Sequence, residues 1–168
     1  NLGNIFKRFD DFNSTRQMYN LAMKKSTEKN YKIINLEYQK LSFLSSQINY
    51  IQSIYSNDGN KEKALLGYKE LLNGNGTWDN GEPFIDQNQN MSYDSGENFT
   101  DWNFNDIGLL NLYIADLYKN SENYTEAIKY LKTAISINPY VKKYQEYINI
   151  ISKLIAQKGN DFLRLGKL

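Results

Sequence analysis

Cysteine and histidine are both absent from the 168 residues. Their absence excludes a thiolate nucleophile, a Ser-His-Asp triad, a zinc finger, an iron–sulfur cluster and a His-ligated haem. Any metal site has to be built from oxygen atoms, which points to calcium or magnesium. The lack of cysteine fits either side of a membrane and assigns no compartment. Only 2 prolines occur, so most of the chain is free to be helical. No apolar run approaches the roughly 18 residues that a membrane span needs. The first residue is Asn1 rather than methionine, which leads to the expectation of a processed or trimmed product with any targeting peptide outside it. Against these absences stand a hydrophobic fraction of 40% and 14% aromatics, enough for a packed core and too much for wholesale disorder.

The formal net charge is +1, but the charge is unevenly placed. Nine acidic residues fall between Glu70 and Asp116, while no Lys or Arg lies between Lys69 and Lys119. The rest of the chain carries 20 basic and 10 acidic residues. A near-neutral total therefore hides an acidic centre between basic flanks. Asparagine is heavily used, with 23 residues, and Asn-x-Ser/Thr triplets begin at Asn13, Asn75, Asn90, Asn98 and Asn123. Glycosylation is an open expectation at these positions.

Residues 14–56 contain neither Gly nor Pro. Ile34, Tyr38, Leu41, Leu44, Ile48, Ile51 and Tyr55 recur at spacings of three and four, one face of a 3.6-residue period. The stretch reads as one very long helix or as two with a bend near Ser42–Ser46. Asn57-Asp58-Gly59-Asn60 signals a break, with Asn60 as N-cap of a helix from Lys61 to about Leu71. Leu109, Leu110, Leu112, Tyr113, Leu117 and Tyr118 mark another helix. Asn123 is placed to cap the next, with Glu126 completing a capping box, and Pro139 closes it. A last helix is expected over about 141–157, ending at Gly159-Asn160. The fold class expected is all-α.

Residues 108–141, GLLNLYIADLYKNSENYTEAIKYLKTAISINPYV, resemble a tetratricopeptide repeat (TPR) of 34 residues. Ala115 is the small residue where two helices cross, and Tyr118 follows it. Tyr124-x-x-Ala127 opens the second helix, Leu131 and Ala134 continue it, and Pro139 ends it. Asn111 departs from the pattern, which often has a large aromatic there. In residues 45 to about 72, Tyr55, Ala64 and Tyr68 stand where Tyr118, Ala127 and Leu131 stand, with Gln52 in the small residue's place. Residues 14–44, with Ala22, read as a third, degenerate copy. The resemblance implies a solenoid of helical hairpins and a role in protein interaction rather than catalysis.

Between the helices lies a repeat of 15 residues. Leu71, Asp86 and Asp101 correspond, as do Asn73, Asn88 and Asn103, then Asn75, Asn90 and Asn105. Trp78 matches Tyr93, Asp79 matches Asp94, Gly81 matches Gly96, Glu82 matches Glu97 and Phe84 matches Phe99. The middle copy, Asp86 to Glu97, resembles the 12-residue calcium loop of EF-hand and related secreted repeats. The resemblance implies Ca2+ bound by Asp86, Asn88, Asn90, the Ser92 carbonyl, Asp94 and Glu97. In the first copy it implies Asn73, Asn75, Thr77, Asp79 and Glu82, with Asp86 borrowed because Leu71 takes the leading acidic place. Asp101, Asn103 and Asn105 remain for a partial third site. Met91 stands where such loops turn on glycine. Magnesium, which takes fewer protein ligands, suits the set less. Eight carboxylates from Glu70 to Asp106 without a neighbouring Lys or Arg would repel one another unless a cation relieved them.

These readings divide the chain into an extension (1–13), TPR-like helices (14–72), a calcium-binding insertion (73–106), a TPR repeat with a further helix (107–158) and a tail (159–168). The expected function is a non-catalytic, calcium-stiffened interaction or assembly protein, secreted, cell-surface or periplasmic. At a dissociation constant of about 10⁻⁴ M, millimolar calcium adds only about 1.4 kcal/mol per site, which suits a calcium-rich exterior. The partner expected is another protein or further copies of the chain. Leu2, Ile5, Phe6, Phe9 and Phe12 at one end and Phe162, Leu163 and Leu165 at the other suggest end-to-end stacking into a filament. The alternative is a carbohydrate-binding or glycoside-processing protein built on carboxylates and aromatics. A nucleic-acid partner is disfavoured by the acidic centre.

Overall fold

The computed structural model describes residues 12–80 and 82–164, the side chains of residues 160–164 excepted. Six helices and no strand occur among the described residues. They are α1 (Phe12–Lys24), α2 (Glu28–Asp58), α3 (Lys61–Asn73), α4 (Gly108–Asn120), α5 (Tyr124–Ile137) and α6 (Lys142–Arg164). The fold is all-α and TPR-like. The described residues form two compact units, one of residues 12–105 and one of residues 106–164.

In the first unit, α2 is one helix of 31 residues. The bend considered near Ser42–Ser46 does not occur. No Gly or Pro interrupts that stretch, and Ser46 and Ser53 donate their hydroxyls back to the Phe43 and Tyr50 carbonyls of the same helix. The break falls instead at Lys25–Thr27, with Thr27 as an extended N-cap at ψ 160°. Leu41, Leu44, Ile48, Ile51 and Ile54 form the buried stripe of α2, the three-and-four spacing at work. Gly59 ends the helix at φ +61°, its N–H donating to the Tyr55 carbonyl. Asn60 caps α3 by accepting from the Lys63 N–H at 2.9 Å. Ala64 and Tyr68 are buried as the TPR-like register requires. The close approach of α2 and α3 is made by Gly67 rather than by a small residue at position 52. A β-carbon there would lie 3.0 Å from Ile51.

The second unit packs Leu112, Ala115, Ala127, Leu131, Ala134, Tyr144 and Ile151 into one core. Ala115, Ala127 and Ala134 are wholly buried, so the small residues let α4 and α5 close up. Asn111, the departure from the repeat pattern, is itself buried. Asn123 caps α5 through the Glu126 N–H, while the Glu126 carboxylate pairs with Lys129 on the helix surface. Gly108 faces Tyr144, whose hydroxyl would stand 2.5 Å from an added β-carbon. Helix α6 runs past Gly159-Asn160 to Arg164, which corrects the end expected at 159. A single glycine costs a helix only about 1 kcal/mol, and no proline follows to stop it. The tail therefore begins after Arg164. Its last residues, like Leu2, Ile5, Phe6 and Phe9 of the extension, lie outside the described residues, while Phe12 already belongs to α1.

One polar cluster ties α4 to α6. Asp116 accepts from Lys119 at 2.6 Å and from the Tyr147 hydroxyl at 2.5 Å. Burial pushes the Asp116 carboxyl up, but these hydrogen bonds outweigh it and hold the group below its usual range.

Candidate metal centre

The insertion follows α3, and its described residues as far as Asn105 belong to the first unit. Its backbone turns back on itself at a single antiparallel bridge, Phe84 to Phe99. Ile85 donates to the Asn98 carbonyl and Thr100 to the Pro83 carbonyl, each at 2.8 Å. Repeated aromatics pack beside the bridge. Trp78 stacks on Tyr93 with ring centres 4.6 Å apart, and Phe84 and Phe99 meet Tyr93 edge-on. The far end is tied down as well, because Phe104 donates to the Leu71 carbonyl at the end of α3. Trp102 and Phe104 are buried and pack on Phe43 of α2.

Two loops face each other across the bridge. In the second, Asp86 accepts from the backbone N–H groups of Asn90 (3.2 Å) and Met91 (2.8 Å). Asn90 accepts from the Ser92 N–H through its side-chain oxygen and donates to Asp94 at 2.7 Å. Asn88 also donates to Asp94, at 2.6 Å. Glu97, 8% exposed, accepts from the N–H groups of Gln87 and Asp94. All six residues expected of this loop are thus drawn into one connected turn.

The first loop repeats that network except for the bonds of Asn88, whose counterpart Asn73 stands outside it. Asn75 accepts from the Thr77 N–H and donates to Asp79 at 3.0 Å. Glu82, 3% exposed, accepts from the N–H groups of Asp79 and Trp102. The place of Asp86 is taken by Asp101, which accepts from Asn75 (3.4 Å) and Gly76 (2.7 Å). The borrowed carboxylate is therefore Asp101 and not Asp86. The bridge folds the chain so that the truncated third copy closes the incomplete first. Leu71 cannot serve, being apolar and buried in α3. Asp101 accordingly belongs to the first loop and not to a third site. Asn73, Asn103 and Asn105 are exposed and lie outside both networks.

The backbone agrees with the pairing. Gly74 and Gly76 take φ of +81° and +72°, and their counterparts Gln89 and Met91 take +61° and +62°. The second loop adopts the left-handed turns without glycine, at a cost of about 1–2 kcal/mol per residue. Gly74 is also required by space, since a β-carbon there would sit 2.5 Å from an Asp101 carboxylate oxygen.

The side chains gathered in each loop, carboxylates and amides, carry oxygen atoms of the kind a hard cation takes, with no imidazole or sulfur among them. Among the described residues no three acidic side chains converge as a ready cage. Each loop instead mixes carboxylates with asparagine amides, and its carboxylate oxygens are held by backbone N–H groups. Sequence reasoning missed the burial of Glu82 and Glu97 and the wrap-around of Asp101. The complementary defects of the first and third copies, one without its aspartate and one without its loop, were the signal for that closure.

Comparison with known families finds one match, within the second unit. Residues 112–140 are a tetratricopeptide repeat. The match spans α5 and most of α4, the hairpin built around the buried alanines. Such repeats serve generally as non-catalytic scaffolds for protein–protein contact. No curated protein and no solved structure matches the chain. No described helix is long and apolar enough to cross a membrane.

Proposed function

We propose that the chain is a non-catalytic TPR interaction module whose insertion binds two Ca2+ ions and is stiffened by them. The observation that supports the calcium part is the correspondence of the two loops in the bonds of their aspartate, asparagine and glutamate side chains. A disordered asparagine-rich linker has no reason to place Asp86 and Asp101 on equivalent pairs of backbone N–H groups. Asp86, Asn88, Asn90, Ser92, Asp94 and Glu97 would hold one ion. Asn75, Thr77, Asp79, Glu82 and Asp101 would hold the other. The amide hydrogens of Asn88, Asn90 and Asn75 now rest on Asp94 and Asp79, and rotating those amides turns oxygens inward for the ion. A cation also relieves the charge of a segment with no Lys or Arg of its own.

The role favoured is protein contact through the helical hairpins, outside the cell, where calcium is plentiful. A second copy of the chain is one candidate partner. Lys142, Lys143, Gln145, Glu146, Asn149 and Lys153 leave much of the outer face of α6 polar and exposed, which favours a separate partner over head-to-tail filaments at that end. Glycans fit poorly at Asn75, Asn90 and Asn123, whose side chains hold loops or a cap.

Chymotrypsin tests the stiffening, because Trp78, Tyr93 and Phe99 are its targets within the loops. Cleavage between residues 75 and 100 should be slow with calcium and fast with chelator. Equal rates in both would count against the proposal.

A further inference from the structure

Helices α1 and α2 pack against each other as a hairpin joined at Lys25–Thr27. The backbone N–H groups of Lys25 and Ser26 donate to the Ala22 and Met23 carbonyls, and the Ser26 hydroxyl also donates to Met23. The turn thus satisfies these donors itself, which lowers the cost of taking it out of water. Three large apolar side chains stand exposed close behind it. They are Leu21 of α1 (51%) and Tyr31 (46%) and Ile33 (58%) of α2. At 1.5 Å per residue, each lies within about 8 Å of the end of its helix. Lys24, Lys25, Lys29 and Lys32 are exposed in the same span. Glu28 is its one acid, so residues 21–33 carry a net +3. The Glu28–Lys32 pair, at 3.6 Å, is open to solvent and engages the lysine only weakly.

We propose that this end of the hairpin docks on a membrane surface bearing anionic phospholipid. Charge selects the lipid, because lysines near such a surface are each drawn to its negative potential. Shape selects a membrane over a protein groove. Tyr31 and Ile33 are two residues apart, about 200° around α2, and Leu21 belongs to the other helix. A groove grips one face of a helix, whereas an interface entered end-on surrounds all three side chains. The depth agrees, since interfacial segments settle about 5–10 Å into the headgroup boundary. Tyrosine suits the headgroup level, and the lysine stems add apolar contact while their ammonium groups reach the phosphates. The acidic insertion does not oppose this docking. It packs on Phe43, about 15 Å along α2 from Ile33 and beyond the Debye length of about 8 Å. Nothing in this proposal rests on calcium.

Flotation with lipid vesicles in chelator and low salt tests it. The chain should float with mixed phosphatidylcholine–phosphatidylglycerol vesicles and not with phosphatidylcholine alone. Lys25→Gln and Lys29→Gln should each weaken binding about fivefold, and Ile33→Asn should weaken it at least as much. All three positions are exposed, so circular dichroism should show unchanged helix content. Lys142→Gln, on α6, should bind as the unaltered chain does. No binding, equal binding to both vesicles, or a loss that follows Lys142→Gln instead of Ile33→Asn would overturn the proposal. So would a concentration-dependent dimer abolished by Ile33→Asn, which would give the hairpin end to a second copy of the chain. With chelator present, each of these results leaves the calcium reading as it stands.

Discussion

Met91 carries a backbone φ of +62° with a side chain that is 91% exposed. The turn is held by its N–H on Asp86, not by any packing of the thioether. Met91→Gly should therefore relieve strain and stabilise the second loop by about 1 kcal/mol, seen as tighter calcium binding in calorimetry. Gly74→Ala should do the reverse in the first loop, because its methyl would collide with Asp101. The pairing of aspartates makes a sharper demand. Asp101→Ala should abolish the first site and leave the second, while Asp86→Ala should do the opposite, as native mass spectrometry of the variants would count.

Among the elements, α4 and α6 depend on one buried contact and one polar tie. Gly108→Ala should destabilise the second unit by about 1–3 kcal/mol, since Tyr144 is buried and has no free path away. Tyr147→Phe removes a hydrogen bond to Asp116 and should cost about 1 kcal/mol in denaturant unfolding. The pH dependence follows from the depressed Asp116 carboxyl. Its contribution is complete above the ordinary value of 3.8 and is lost as the pH falls through the lower folded value. Between those two values stability should fall less steeply with falling pH in Asp116→Asn. The helices were largely legible beforehand because apolar spacing, Asn60, Gly59, Asn123 and Pro139 are local signals. The break at Lys25–Thr27 was not, since Ser26 and Thr27 are weak punctuation inside a polar stretch. The continuation of α6 beyond Gly159 was hidden for the opposite reason, a breaker that the helix tolerates. In the insertion the second loop could be read in sequence order. The first could not, because its closing aspartate arrives from the far side of a bridge that no short-range pattern encodes.

For the whole chain, the proposal gives the helical hairpins the contact surface and the insertion the brace. The basic flanks and acidic centre noted in the sequence become helices on one hand and paired oxygen-rich loops on the other. The repeat at residues 112–140 carries the case for a protein partner, and the matched loops carry the case for a cation. Calorimetric titration of the metal-free chain with calcium tests the central claim most directly. Two ions per chain are predicted, falling to one in either Asp86→Ala or Asp101→Ala, with a heat-unfolding midpoint that rises on loading. No binding at millimolar calcium, or binding that survives both substitutions together, would contradict it.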